Sequence, residues 1–291
     1  MRLLAISDLH LGVATNRAAL EMLPAHPDDW LIVGGDVGER LEQVEYAWRL
    51  LTERFAKVIW TPGNHELWST NEGHTPLRGV AKYDALVELC RRYGVLTPED
   101  PYPLWPGATG YTQGPVRIAP IFTLFDYSFR PDEVAEANAV EWAAETNVVS
   151  ADEFYLRPEP FESRQAWCAA RCEMTEERLR QASRDASLVI VGHFPLVREV
   201  VRLRFIERFS LWCGTTRTRH WHKRFSVACV VYGHLHIRST EWRDGVRFEE
   251  VSLGMAKQWQ NERGVEGYLR EIFPGPPTAP ADADVHPTFH R

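Results

Sequence analysis

The chain has 291 residues, 44% hydrophobic and 25% charged, which is enough apolar material for a sizeable core and excludes a disordered protein. Its net charge of −7 excludes a global pull toward nucleic acid, so no nucleic-acid partner is expected. No apolar run reaches membrane-spanning length and the apolar start at 1–6 is too short for a signal peptide, so a cytoplasmic protein without a membrane partner is expected.

Taken in chain order, five short apolar runs stop abruptly at polar residues. Run 3–6 ends at Ser7-Asp8, 30–33 at Gly34-Gly35-Asp36, and 58–60 leads into Gly63-Asn64-His65. Run 187–191 ends at Gly192-His193, and 227–232 at Gly233-His234. Runs of this length, β-branched and stopped by glycine, predict buried strands. Helical spacing lies between them: Leu41, Val44, Ala47, Trp48 and Leu51, then Tyr83, Leu86, Leu89 and Cys90, then a longer stretch over 163–186. Strands alternating with helices predict an α/β sheet protein, whose ligands bind at the carboxyl ends of the strands. Residues 126–163, with Pro131, Pro158 and Pro160, read as an excursion that could cover such a site. Asp244-Gly245 predicts a hairpin turn, and from 273 onward the chain is Pro- and Ala-rich. One domain over 1–272 and a loose tail over 273–291 are expected. The five cysteines form no C-x-x-C pair and read as small buried hydrophobes.

The polar residues at the strand ends are Asp8, His10, Asp36, Asn64, His65, His193, His234 and His236. Imidazole and carboxylate without thiolate suit Mn, Fe or Zn. Asp-x-His and His-x-His each put two side chains on one face of an extended segment. Singly, each residue has an ordinary alternative as a helix cap, a turn asparagine or a core histidine. Together and in this order, D-L-H, G-G-D, G-N-H-E, G-H and G-H-L-H resemble the calcineurin-like metallophosphoesterases. The resemblance implies a four-layer α/β/β/α sandwich of two mixed β-sheets flanked by helices, with two divalent or trivalent metal ions at the strand ends. By match, Asp8, His10 and His236 would hold one metal and Asn64, His193 and His234 the other, with Asp36 bridging. His65 would be the proton donor to the leaving group. Glu39-Arg40 resembles the Asp-Arg that follows the bridging aspartate in phosphoprotein phosphatases. That implies Glu39 orienting His65 and Arg40 gripping a phosphate oxygen. Here Glu replaces Asp, Leu41 stands where Gly usually follows, and Glu66 has a competing claim to the orienting role.

The substrate needs a different signal. Over 198–224 eight basic residues, Arg217 among them, face only Glu199 and Glu207, with aromatic residues interleaved. This reads either as a solvated face balanced by acids elsewhere or as a dock for an acidic partner or a second phosphate group, with Arg217 as a phosphate contact. "PDDWLIVGGDVGER", "RFAKVIWTPGNHELW" and "FSLWCGTTRTRHWH" resemble the actinobacterial phosphopantetheinyl hydrolases. That branch implies removal of 4′-phosphopantetheine from holo acyl carrier protein, which would dock on the 198–224 segment. The alternatives are a phosphodiesterase or phosphomonoesterase acting on nucleotides or phosphoproteins, and a non-catalytic metal-binding scaffold.

Overall fold

The strand and helix signals resolve into two sheets in a computed structural model that describes residues 1–69, 77–109, 114–275 and 287–290. Among the described residues the strands are β1 (Leu3–Ile6), β2 (His26–Val33), β3 (Phe55–Trp60), β4 (Val116–Pro120), β5 (Ser187–Val191), β6 (Val227–Tyr232), β7 (Ser239–Arg243), β8 (Val246–Glu250), β9 (Arg270–Phe273) and β10 (Thr288–Phe289). One sheet is ordered β3-β2-β1-β9, with β9 antiparallel to β1 and the other pairs parallel. The second is ordered β10-β7-β8-β6-β5-β4. Its β8-β6-β5-β4 portion is parallel, while β7 and β10 add antiparallel pairs at one edge. The helices are α1 (Ala14–Glu21), α2 (Leu41–Arg54), α3 (Asn64–Leu67), α4 (Gly79–Arg92), α5 (Ala139–Ala144), α6 (Asp152–Tyr155), α7 (Arg164–Ala182) and α8 (Trp221–Arg224).

Strand periodicity sorts the core into layers. Leu3 and Ala5 of β1 share a cluster with Ile32, Ile59, Ile118, Val189 and Val231, drawn from both sheets. Leu4 and Ile6 join the other cluster, with Val44, Ala47, Trp48 and Leu51 of α2 and with Trp167 and Leu179 of α7. Both faces of each central strand are therefore buried, which is why the sequence runs are unbroken rather than alternating. Each large side chain on the α2 stripe contributes about 1.5–3 kcal/mol by burial. The result is two mixed sheets with flanking helices, as expected. All five cysteines are buried and free.

The weaker elements escaped the sequence patterns for local reasons. The β4 strand carries Arg117 and ends in Pro120, β9 is four residues long, and α1 buries only Asn16 and Leu20. Phe273, placed in the tail by composition, is fully buried and pairs with Leu3. Residues 276–286 and 291 of that expected tail lie outside the described residues, and Thr288–Phe289 pair with β7. The helix expected over 163–186 runs Arg164–Ala182, where Ser163 Oγ accepts from the Ala166 N–H at 3.1 Å and caps it. The excursion over 126–163 lies against the loop after β3: Ser69 N–H donates to Tyr155 O at 2.8 Å. No helix among the described residues is long and apolar enough to cross a membrane.

Candidate metal centre

The two sheets are spliced at the carboxyl end of β1. Ser7 N–H donates to Val251 O (3.0 Å) and Leu253 N–H donates to Ser7 O (2.8 Å), while Asp8 N–H and His10 N–H donate to Gly35 O and Asp36 O, both at 2.9 Å. These bonds carry the ladder beyond the strands and fix the loops that follow. Asp8, His10, Asp36, His234 and His236 all have positive φ, between 44° and 69°. Such backbone costs about 1–2 kcal/mol for a residue with a Cβ, and it clusters at functional sites. The glycines of two motifs are required by close approach. A Cβ on Gly63 would lie 2.0 Å from Asp36 Oδ1, and one on Gly233 would lie 2.3 Å from Asp8 Oδ2.

All seven expected ligands converge. Asp8, His10 and His236 form one cluster and Asp36, His193 and His234 a second, each with its ligand atoms within 4.8 Å of one another. Asp36 Oδ2 lies between them, 3.5 Å from His193 Nε2 and 4.0 Å from His10 Nε2. Asn64 Oδ1 joins the second cluster, 3.1 Å from His193 Nε2. A third grouping, His10, Asp36 and His65, places the expected proton donor against the shared carboxylate.

Supporting contacts decide which atoms face inward. Gly34 O accepts from His193 Nδ1 at 2.8 Å, and Gln258 Oε1 accepts from His236 Nδ1 at 2.8 Å, which turns both Nε2 atoms to the clusters. Asp8 Oδ2 accepts from the Ser252 hydroxyl (2.8 Å) and His234 N–H (3.1 Å), with Ser7 Oγ 2.5 Å away, so Oδ1 is turned to the cluster. The Asn64 amide nitrogen donates to Asp152 Oδ1 at 3.0 Å, which turns its carbonyl oxygen to the cluster. Ser7, Ser252, Gln258 and Asp152 were not singled out as functional from the sequence. No spacing pattern connects them to their partners; only the strand-end position of Ser7 was visible.

The electrostatics favour cations. Burial is the largest influence on His193 and His236 and lowers both, yet carboxylates outweigh it: Asp36 brings His193 up to about 10, and Asp8 brings His236 up to about 9. Burial dominates at His10 and His234, holding them at about 4 and about 3, so both rings are neutral and keep a lone pair. Burial opposes ionisation of Asp8 and Asp36, but the neighbouring imidazoles, His236 first for Asp8 and His193 first for Asp36, hold both below the ordinary carboxylate range. His234 Nε2 is buried with no hydrogen-bond partner among the described residues. Imidazole nitrogens and carboxylate oxygens face one another across both clusters, and the neutral His234 ring keeps one buried nitrogen with no described partner. Histidine, carboxylate and amide donors arranged this way fit metal ions of the Mn, Fe or Zn type.

His65 stacks on Trp68, with ring centroids 3.7 Å apart, and places Nε2 3.8 Å from Asp36 Oδ2. Its Nδ1 lies 3.4 Å from Glu39 Oε1. Glu66 faces elsewhere and accepts from the backbone N–H groups of Asp36 (2.9 Å), Val37 (2.9 Å) and Gly63 (3.0 Å). It ties the Asp36 loop to the Asn64 loop and makes no described contact with the His65 ring. Burial is the largest influence on His65 and lowers it, but Asp36, the Glu39 hydrogen bond and Asp152 together raise it above its ordinary value.

Of the two arginines expected at the phosphate, Arg40 is exposed at the start of α2 and lines a cavity of about 850 Å³ that also includes Glu39 and Trp68. Arg217 faces Asp126, 3.5 Å away, and makes no described contact with the ligand clusters. The 198–224 surplus is largely paired. Arg202 meets Glu241, Arg208 Glu145, Arg217 Asp126, Lys223 Asp244 and Arg224 Glu176, leaving Arg198, Arg204 and Arg219 without a described carboxylate partner.

A two-sheet sandwich with these clusters at its strand ends is the architecture of a phosphoesterase, and residues 1–238 match the calcineurin-like phosphoesterase family. The chain belongs to that family and is a hydrolase acting on phosphoester bonds. It is 49% identical over 278 residues to the acyl-carrier-protein phosphodiesterase PptH of Mycobacterium tuberculosis, a match covering 95% of this chain and 84% of the relative. The crystal structure of phosphopantetheinyl hydrolase (PptH) from Mycobacterium tuberculosis superposes with a TM-score of 0.89 at 49% identity, covering 96% of this chain and 98% of that one.

Proposed function

We propose that the chain hydrolyses the phosphodiester joining 4′-phosphopantetheine to a serine of holo acyl carrier protein. The observation that carries the chemistry is the pair of ligand clusters sharing Asp36 beside His65. The substrate rests on the 49% identity to PptH over 95% of the chain. Asp8, His10 and His236 would hold one metal, Asn64, His193 and His234 the other, and Asp36 both. When bound, two such ions supply Lewis acidity to the phosphoryl oxygens and acidify water at neutral pH. Overall one water is consumed: its oxygen ends on phosphorus, the phosphorus–serine oxygen bond breaks, and the serine leaves as a hydroxyl. His65 Nε2 donates the proton that the departing serine oxygen needs, because an alkoxide is a poor leaving group. Glu39 holds the other ring nitrogen and keeps the ring aimed at the centre, and Arg40 at the mouth is positioned for a phosphate oxygen.

The test is intact-mass analysis of a purified holo carrier protein incubated with enzyme and Mn. Loss of the arm, blocked by chelator, is expected. An arm that stays on while an aryl phosphodiester is cleaved would assign the chain to the generic phosphodiesterases instead.

A further inference from the structure

The His65 ring stands between two walls that come from different loops. Glu39, in the loop after β2, brings its Oε1 to 3.4 Å from Nδ1, and Trp68, at the end of α3, stacks on the ring with centroids 3.7 Å apart. A ring that must reach a leaving oxygen depends on both, because a misplacement of about 1 Å can cost about 100-fold in rate. Trp68 is tied by its Nε1 to Asp152 Oδ1 at 2.5 Å. The Glu39 side chain is 43% exposed, so its position has to be set through its backbone.

The residue behind both walls is Lys82 of α4. That helix is a fixed platform. At its start Val80 N–H donates to Glu159 O at 2.9 Å, and Tyr83 and Leu86 are buried, Tyr83 against Phe122 with ring centroids 4.4 Å apart. Lys82 itself is only 7% exposed. Its Nζ donates to Glu39 O at 2.9 Å and to Trp68 O. It forms no salt bridge among the described residues, and the carboxylates of Glu66, Glu39 and Glu42 act on it from a distance. A buried amine is costly unless its donors are satisfied. Here two main-chain carbonyls satisfy them, and they belong to the two residues that flank His65.

We propose that Lys82 is a positioning residue for the proton donor: it bolts the Glu39 and Trp68 backbones together and so fixes the His65 ring toward the leaving oxygen. The inference rests on His65 as the donor in the reaction proposed above. Lys82 acts through that ring and touches no reacting atom. A lysine that merely braced the fold would affect every substrate alike. One that positions the donor affects those whose leaving group needs a proton.

The experiment measures kcat and KM of the full chain at saturating Mn on two phosphodiesters that share their retained group. One expels a simple alcohol and the other nitrophenol, and neither involves a carrier protein. His65→Gln is expected to lose roughly 100-fold in kcat on the alkyl ester and far less on the nitrophenyl ester. Lys82→Met is expected to lose about tenfold in kcat on the alkyl ester and less than about threefold on the nitrophenyl ester, with KM unchanged on both. Lys82→Gln keeps a neutral donor and should lose about threefold on the alkyl ester on the same reasoning, and it carries the comparison if the Met variant does not fold. Adding Lys82→Met to His65→Gln should cost nothing further, because the two act as one unit. Equal losses on the two esters, no loss on the alkyl ester, or a full additional loss in the double variant overturns the positioning role. Equal losses in His65→Gln alone overturn the donor reading and the positioning role together.

Discussion

Asp152 offers the sharpest test of how the second cluster is held. It opens α6, inside the excursion over 126–163, and is fully buried. Its Oδ1 accepts from Asn64 Nδ2 at 3.0 Å and from Trp68 Nε1 at 2.5 Å, while Oδ2 has no partner among the described residues. Asp152→Ala strands the buried Asn64 donor, at about 1–3 kcal/mol, and the half-buried Trp68 donor, at less. Relief of a buried carboxyl, whose pKa burial pushes up, offsets part of this, so a net loss of about 2–3 kcal/mol is expected. Freed from its anchor, Asn64 can turn its amide away, and metal affinity should fall 10- to 100-fold, the usual consequence of losing a hydrogen bond behind a ligand. Asp152→Asn keeps an acceptor for both donors and puts its NH₂ where Oδ2 had no partner, so affinity should stay within about threefold on the same reasoning. Calorimetric titration of Mn into chelator-stripped protein, with urea unfolding alongside, measures both quantities. If Asn weakens binding as much as Ala, charge rather than acceptance holds the site. If neither variant weakens it, Asp152 does not position Asn64.

Glu39→Gln removes the carboxylate at His65 Nδ1 and should slow release of a serine alkoxide about tenfold, while an aryl diester, whose leaving group needs no proton, is spared; equal losses on both would exclude a role through His65. Gly63→Ala drives a Cβ to 2.6 Å from Asp36 N and still closer to its carboxylate, so about 1–3 kcal/mol of stability and most metal binding should go, as read by denaturation and titration. Burial lowers Lys82 to about 8 from an ordinary 10.5, so between those pH values the unfolded chain holds more protons and stability rises with pH; Lys82→Met should flatten that rise in urea midpoints, and parallel curves would refute it. Mn at 100 times its dissociation constant should stabilise the stripped protein by about 2.7 kcal/mol, a Tm rise of several degrees that Asp36→Asn removes.

The candidate ligands were legible because parallel strands deliver their carboxyl ends to one edge, so a polar residue after each apolar run already had an address. The residues that aim the ligands had none. Asp152 reaches Asn64 across 88 positions and Ser252 reaches Asp8 across 244, so neither leaves a periodic trace. Charge counting over 198–224 saw the cations of a segment but not the acids that the fold brings to it, such as Glu241 for Arg202 and Asp126 for Arg217. Glu66 looked equal to Glu39 because it neighbours His65 in sequence. Adjacent residues on a helix do not face each other, and on α3 one turns to the clusters while the other turns to the backbone beneath.

The left-handed candidate ligands show what holds the clusters before any substrate arrives. Five residues with side chains adopt positive φ at about 1–2 kcal/mol each, a cost on the order of 5–10 kcal/mol concentrated in three short loops. Backbone bonds that extend the ladder past the strands, such as Gly254 N–H to Asp8 O at 3.0 Å and Gly233 N–H to His193 O at 3.0 Å, hold those loops with strand-like rigidity. The Glu66 carboxylate binds the Asp36 and Gly63 loops to each other. Strain of this size persists only where the surroundings over-determine it. The same over-determination aligns the inward-facing atoms without waiting for a ligand, so the chain meets its phosphodiester with the geometry already in place.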